Sequence, residues 1–300
     1  MRKYFCLATS VLSLSLTCLS LPIGAESADA VKGYDELVQL FEDWREFQQP
    51  VFRDGIPDYT PSAMQRQHEE LAEYQKRLAA IDISGWPVAQ QIDSLMVGAE
   101  MNGLDFDHRV MQPWVRDPAF YSVVVESESD TPLREGPIMA GTIELWRLSF
   151  PLTAAEVKWL QQRFRSVPAT LEQARGNLTG NARDLWQLGI WTQQEQSAIL
   201  GNLAEEVDSI HAELVPDIEA ARRAVDAFKE WLEEQFPSKT GPSGIGIEAY
   251  TWSLRNVHYV PMTWEDEVAL LERERLRVST EGTIAARQFV ECDGDVRMVT

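Results

Sequence analysis

Hydrophobic side chains recur at intervals of three and four residues along most of the chain, which is the spacing of one face of an α-helix. The clearest stripe lies between Pro216 and Pro237 and consists of Ile218, Ala221, Val225, Phe228 and Leu232. Similar stripes predict helices over residues 34–48, 61–81 and 248–257, and from Thr263 to about Phe289. A β-branched run stands out only at 121–125. The pattern predicts a mainly α fold, an irregular multi-helix array with at most one small β element near 121–148.

Proline and glycine positions set the expected helix boundaries. Pro87 is expected to start a helix that ends at Gly103 and that buries Val88, Ile92, Leu95, Met96 and Ala99. Thr153 and Glu156 form a capping box that predicts the start of one helix, and Pro168 is expected to open a further helix. The helical pattern over 181–214 is expected to break near Gly189 and again near Gly201.

The first thirty residues have the anatomy of a secretory signal peptide, with Arg2 and Lys3 before an uncharged stretch that runs from Cys6 to Leu21. Small residues at Ala28 and Ala30 predict cleavage near Ala30 and a periplasmic or secreted protein. The alternative is an uncleaved anchor helix, although the apolar run is short for a bilayer span. A lipoprotein signal at Cys18 is disfavoured by Ser15, where a large aliphatic residue is usual. We expect a signal peptide at 1–30, one helical domain at 31–290, a disordered tail at 291–300 and no membrane span after cleavage.

The net charge of −20 would repel a phosphate backbone, so nucleic acid is excluded as an expected partner. Cleavage of the signal peptide would leave one cysteine, Cys292, which cannot form an internal disulfide.

Histidine spacing does not complete a zinc peptidase motif, which needs two histidines one turn apart with a glutamate between them. His68 and Glu69 begin such a pattern, but Ala72 occupies the position of the second histidine. His211 and His258 have no neighbouring histidine. We therefore predict no catalytic residue, no metal ligand and no cofactor in this chain.

An acidic turn is the best local cluster of chemistry-bearing residues, and it holds Glu100, Asp105, Asp107 and His108. These side chains could bind a cation or contact a substrate. The alternative, which we favour, is that the aspartates cap backbone donors and that His108 packs beside Trp114.

A second candidate surface follows the proline- and glycine-rich loop at 237–246. Residues there and on the next predicted helix could line a groove; the candidates are Lys239, Tyr250, Trp252, His258 and Tyr259. The Ser-Lys-Thr-Gly stretch is not a phosphate-binding loop, because it lacks the glycine spacing and the preceding strand.

Several motifs, in their order along the chain, resemble the N-terminal half of the bacterial family known as domain of unknown function 885 (DUF885). The matching stretches include DISGWPVAQQID, AEMNGLDFDHRV, PWVRDPAFY, REGP, PATLEQARGNL, DLWQLGI, KTGPSGIG and NVHYVPMTWEDEV. The resemblance extends from about Gly33 to Arg287.

The resemblance implies kinship with helical zinc peptidases of the glutamate-ligand type, which act on peptide-like substrates. Zinc is expected only in full-length members, whose His-Glu…His motif lies in the C-terminal half. The chain is expected to be a truncated member, inactive alone, whose helices form substrate-groove walls in full-length relatives. The loop 239–246 and the turn 256–264 are the expected wall segments. The alternative function is a stand-alone helical module that binds peptide or glycan.

Overall fold

A computed structural model of the protein describes residues 28–128 and 138–292, with side chains over 33–128 and 138–287. The helices are α1 (Ala28–Phe47), α2 (Pro61–Ala79), α3 (Val88–Phe106), α4 (Pro113–Arg116), α5 (Ala154–Asn177), α6 (Arg183–Val207), α7 (Val215–Gln235), α8 (Ile247–Asn256) and α9 (Trp264–Cys292). The strands are β1 (Phe52–Arg53), β2 (Ile56–Pro57), β3 (Val124–Val125) and β4 (Ile143–Glu144). The predicted mainly α class is confirmed.

The strands form two short ladders. The predicted β element near 121–148 is the parallel pair β3–β4, in which Val124 lies opposite Ile143. The second ladder is the antiparallel hairpin β1–β2, which lies between the first two predicted helices. Its turn residues Asp54 and Gly55 have φ values of 52° and 83°, and an Asp-Gly pair is a recognised signal for a hairpin turn of this kind.

The larger of two hydrophobic cores is built by α5, α6 and α7 together with the segment from α4 to β3. Its largest fully buried side chains include Phe164, Trp186 and Phe228. Thr153 begins α5 with the predicted capping box, because its hydroxyl accepts from the Glu156 N–H and the Glu156 carboxylate accepts from the Thr153 N–H.

The smaller core joins α1, α2 and α3 around Trp44, Leu71 and Met101. A hydrogen bond from the Tyr34 hydroxyl to Asp93, 2.8 Å long, also links α1 to α3. The amide of Asn102 on α3 donates to the carbonyl of Asn256 at 2.9 Å, and this bond ties the smaller core to the end of α8.

Three expected helix boundaries are wrong, because contacts between helices override the local signals. Helix α5 continues through Pro168, with Phe164 and Leu171 on either side buried in the larger core. Helix α6 continues through Gly189 and Gly201. Both glycines face close neighbours: a Cβ on Gly189 would lie 2.4 Å from the Cβ of Pro118, and one on Gly201 would lie 3.0 Å from the Arg222 guanidinium.

The expectations for α3 are also wrong. Gly103 does not end the helix but is buried within it. The stripe that we expected to be buried faces solvent: Val88 is 72% exposed, Ile92 and Leu95 are each 49% exposed, and Met96 is 60% exposed. The side that packs into the smaller core carries Ser94, Val97 and Met101 instead.

The C-terminal part consists of α8 and the long α9. The expected start of α9 at Thr263 is confirmed, since its hydroxyl accepts from the Asp266 N–H and the Asp266 carboxylate accepts from the Thr263 N–H.

Helix α9 ends at Cys292, and residues 293–300 of the predicted tail lie outside the described residues. Residues 1–27 of the predicted signal peptide also lie outside them. Within the described ranges, no helix is long and apolar enough to cross a membrane.

Candidate functional site

The C-terminal end of α3 turns into a π-helical segment, Asp107–Met111, before α4 begins. The Gln112 N–H bonds to the carbonyl of Asp107 at 2.7 Å, and Gln112 itself has a left-handed φ of 42°. Single π turns inside helices are frequent at functional sites because the extra residue redirects the side chains around it. Here the turn carries His108 inward, where it is 7% exposed.

Asp105 connects α2 to the end of α3. One carboxylate oxygen lies 3.0 Å from His68 Nε2, and the other accepts from Arg109 Nε at 2.7 Å. Burial opposes the ionisation of Asp105, but the hydrogen bonds from Arg109 and His68 outweigh it and hold its pKa below the usual value. The carboxylate is therefore charged at neutral pH and orients both partners.

The two histidines stack face to face. The rings of His68 and His108 lie 4.9 Å apart with an interplanar angle of 6°. Nε2 of His108 lies 3.1 Å from the side-chain oxygen of Gln67, and the His108 ring packs 5.0 Å from Trp114. Burial, followed by the neighbouring His68, lowers the pKa of His108 to about 4, so His108 is neutral at physiological pH.

Trp252 of α8 closes the outer side of this cluster. The guanidinium of Arg109 lies 4.8 Å from the centre of the Trp252 ring. Phe106 stacks on the same ring at 5.5 Å with an interplanar angle of 8°. Trp252 thus joins the acidic turn to α8, a contact that the sequence did not predict.

The structure brings together only part of the predicted acidic cluster. Asp105 and His108 meet His68, and His108 packs beside Trp114 as we expected. Asp105 binds side chains rather than the backbone donors we expected. Asp107 contributes its backbone carbonyl to the π turn, and Glu100 is partly buried farther back on α3. Among the described residues, no group of three or more His, Cys, Asp or Glu side chains is arranged to hold a metal ion.

The remaining two histidines lie elsewhere. His211 is buried near the larger core, where its Nε2 accepts from the Leu152 N–H at 2.7 Å. His258 is exposed on the turn that follows α8. The contact between His68 and Asp105 was not predicted, because 37 residues separate them and no local sequence pattern indicates a contact over that distance.

The five predicted groove residues occupy several positions. Lys239 follows α7, and its side chain reaches the N-terminal end of α6. There the ammonium donates to the Gly180 carbonyl at 2.9 Å and lies 3.7 Å from the centre of the Trp186 ring. The Tyr250 hydroxyl donates to Glu267 of α9, and the Tyr259 hydroxyl donates to the Leu95 carbonyl of α3. Tyr250, Trp252, His258 and Tyr259 thus share α8 and the turn after it.

A separate open depression of about 650 Å³ lies between α5 and the β1–β2 hairpin. Its polar lining includes Lys158, Gln161, Gln162 and Arg165 from successive turns of α5, and Asp54 from the hairpin. The sequence did not predict this depression, because the hairpin was not recognised.

The buried His108 predicts a pH dependence of stability. Its pKa is about 4 in the folded chain, against about 6.5 for an unfolded histidine. Because the unfolded state binds more protons between these values, the contribution of His108 to the free energy of unfolding should fall by roughly 3 kcal/mol as pH drops from 6.5 to 4. Urea unfolding of the wild type and of His108→Phe across this range measures the contribution, and the variant should lack it.

The wild type must be compared with His108→Phe at each pH, because Asp117 changes stability with pH in the opposite direction to His108. Burial raises the pKa of Asp117 to about 6, so that carboxyl group favours folding as pH falls and offsets part of the His108 effect in both chains. Equal pH slopes for the wild type and His108→Phe would contradict the assignment of a buried, neutral imidazole.

Comparison with solved structures finds a similar fold in a Shewanella oneidensis protein described as "a putative lipoprotein of unknown function". The TM-score is 0.56 at 16% sequence identity, and the match covers 92% of this chain and 50% of that one. The chain therefore spans about half the length of this structural relative. No curated protein sequence matches this chain. The family model described as "Bacterial protein of unknown function (DUF885)" matches residues 46–300, and the chain accordingly belongs to the DUF885 family.

Proposed function

We propose that this chain supplies substrate-binding walls, and not the catalytic residues, of a metallopeptidase-like DUF885 protein. The substrate class is peptide-like. The observation that carries the proposal is the arrangement of α8 and the turn after it, which expose Tyr250 and His258 while Trp252 packs against Arg109 of the Asp105–Arg109 ion pair.

The geometry of α8 suits peptide binding for two reasons. Aromatic side chains with a polar tip provide contact area at a low cost in conformational entropy, and they favour interfaces where one end remains hydrated. Tyr250 is 38% exposed, and His258 on the turn after α8 is exposed as well. In addition, Trp252 and the Asn102–Asn256 hydrogen bond fix α8 against α3, so these side chains are held on a rigid support.

The structural relative is longer than this chain, as a protein with an additional part would be. That protein is about twice as long as the part of it that matches this chain. On this proposal, a metal centre would be held by residues other than those described here, as the resemblance to longer DUF885 proteins implies.

The proposal places the protein outside the cytoplasm, in the periplasm or secreted. The charge pattern of residues 1–30 supports this location, with two basic residues before an uncharged stretch. The structural relative is described as "a putative lipoprotein", which is compatible with an envelope location for both proteins.

Fluorescence anisotropy of a labelled, unselected hexapeptide pool tests the proposal on the purified full chain in the presence of EDTA. We expect saturable binding without hydrolysis, and a loss of at least tenfold in affinity for a Tyr250→Ala, His258→Ala double variant. Tightly bound zinc at one equivalent in a metal analysis, together with peptide hydrolysis that EDTA abolishes, would contradict the non-catalytic role.

The second candidate, a stand-alone module that binds peptide or glycan, is favoured by the depression between α5 and the hairpin. Its amide and cationic groups are ligands typical of polar substrates. The same anisotropy assay separates the two candidates. A loss of binding in a Lys158→Ala, Gln162→Ala double variant, with the α8 double variant unaffected, would favour the depression.

A further inference from the structure

We infer that the outward side of α3, together with Tyr259, is a docking surface for an amphipathic helix of a partner whose apolar stripe is flanked by lysine or arginine. The surface is named the α3 outer face and consists of Val88, Ile92, Leu95, Met96 and Tyr259. It is distinct from the peptide-binding role proposed for Tyr250 and His258.

The spacing of the apolar residues is that of a helix-packing stripe. Val88, Ile92, Leu95 and Met96 follow one another at intervals of four, three and one, which places them within about 100° of arc on one side of α3. They are between 49% and 72% exposed. Exposed apolar side chains are ordinary when scattered singly, but a contiguous apolar patch is typical of an interaction site.

Helix α3 is apolar on two opposite sides. Val97 and Met101, which are 6% and 0% exposed, already pack into the smaller core with α1 and α2. The stripe on the outer face is therefore not needed for the contacts that hold α3 in this fold, and a partner would complete its burial.

Tyr259 extends the surface in an uncommon backbone conformation. Its φ is 52°, a left-handed value that non-glycine residues adopt infrequently and that costs of order 1 kcal/mol. Its hydroxyl donates to the carbonyl of Leu95 at 2.9 Å. The tyrosine ring is thus fixed beside Leu95 while it remains 46% exposed.

Charge around the outer face selects the class of partner. Helical spacing places Asp93 and Glu100 along one edge of the apolar stripe, and α3 contains no lysine or arginine from Val88 to Phe106. The whole chain has a net charge of −20. A symmetric pairing of two copies through this face would bring the same acidic side chains together, which electrostatic repulsion disfavours. Lysine or arginine beside the apolar stripe of the partner would instead attract it and set its orientation.

Two synthetic helical peptides of the same apolar stripe test the inference on the full chain, one flanked by lysine and one by glutamate. A third peptide has the lysine-flanked composition in scrambled order. Binding is measured by calorimetry, and the Met96 methyl resonance is followed by NMR. We expect the lysine-flanked peptide to bind saturably, to shift Met96, and to bind at least tenfold more tightly than either of the others.

Variants locate the site. Ile92→Glu and Met96→Glu should each weaken binding of the lysine-flanked peptide at least tenfold. Leu188→Glu on α6, where the wild-type side chain is similarly exposed at 45%, should leave it unchanged. Circular dichroism confirms that each variant is folded.

Three results would overturn the inference. Equal binding of the scrambled peptide would reduce the interaction to charge alone. Binding that is insensitive to Ile92→Glu would move it away from α3. Self-association in sedimentation that Ile92→Glu abolishes would assign the face to a second copy of the chain. None of these results bears on the α8 double variant, so this inference and the proposed function can fail separately.

Discussion

Replacing Gln196 with leucine is expected to lower the free energy of unfolding by about 3–5 kcal/mol, the largest effect of any single substitution considered. The Gln196 carbonyl oxygen accepts from the N–H groups of Val123 and Val124, each at 2.8 Å, and its amide donates to the Val124 carbonyl at 2.8 Å. Leucine has a similar size but leaves all three backbone groups without this partner. Because the residue is 4% exposed, water has little access to replace it.

Urea unfolding monitored by circular dichroism measures this loss. Gln194→Leu is the matched control, since Gln194 belongs to the same helix but is exposed, and it should change stability by no more than about 0.5 kcal/mol. If both variants were equally stable, the role of Gln196 as the link between α6 and β3 would have to be abandoned.

Replacing Gly189 with alanine is expected to destabilise the chain by about 2–3 kcal/mol, although alanine is the better helix former by about 1 kcal/mol. The added methyl group would lie 2.4 Å from the Cβ of Pro118 and 3.2 Å from the backbone nitrogen of Ala119. The proline ring cannot rotate away. The segment before β3 would therefore have to move off α6 and would disturb the larger core.

Gly176, the second-to-last residue of α5, is expected to give the opposite result. It also lies inside a helix, α5, but nothing lies within 4 Å of a Cβ built there. Gly176→Ala should therefore raise the free energy of unfolding by up to about 1 kcal/mol. Changes of the same sign in both variants, measured by urea unfolding, would show that helix propensity rather than packing governs these glycines.

The sequence was sufficient to predict the helical class and several helix starts, because those depend on neighbouring residues. The capping residues Thr153 and Thr263 begin helices as expected, and Pro237 lies just past the end of α7. Gly189 and Pro168 misled the prediction. Their effect depends on partners distant in sequence, and burial against those partners keeps each helix continuous.

The candidate site was only partly predictable for the same reason. Asp105 and His108 are close in sequence, but His68 reaches them from α2 and Trp252 from α8. Helix α3 shows a further difficulty. A stripe of apolar residues predicts that one face of a helix is buried. Helix α3 has two such faces, and the sequence pattern does not show which of them packs into the core. The side with the larger apolar residues is the exposed one.

Photochemical cross-linking of a benzophenone-labelled hexapeptide pool to the full chain, mapped by mass spectrometry, tests the central claim most directly. The proposal that this DUF885 chain binds peptide through α8 predicts cross-links concentrated between Ile247 and Tyr259, with unlabelled peptides competing for them. Cross-links confined to the depression beside α5, or spread over the surface without competition, would contradict it.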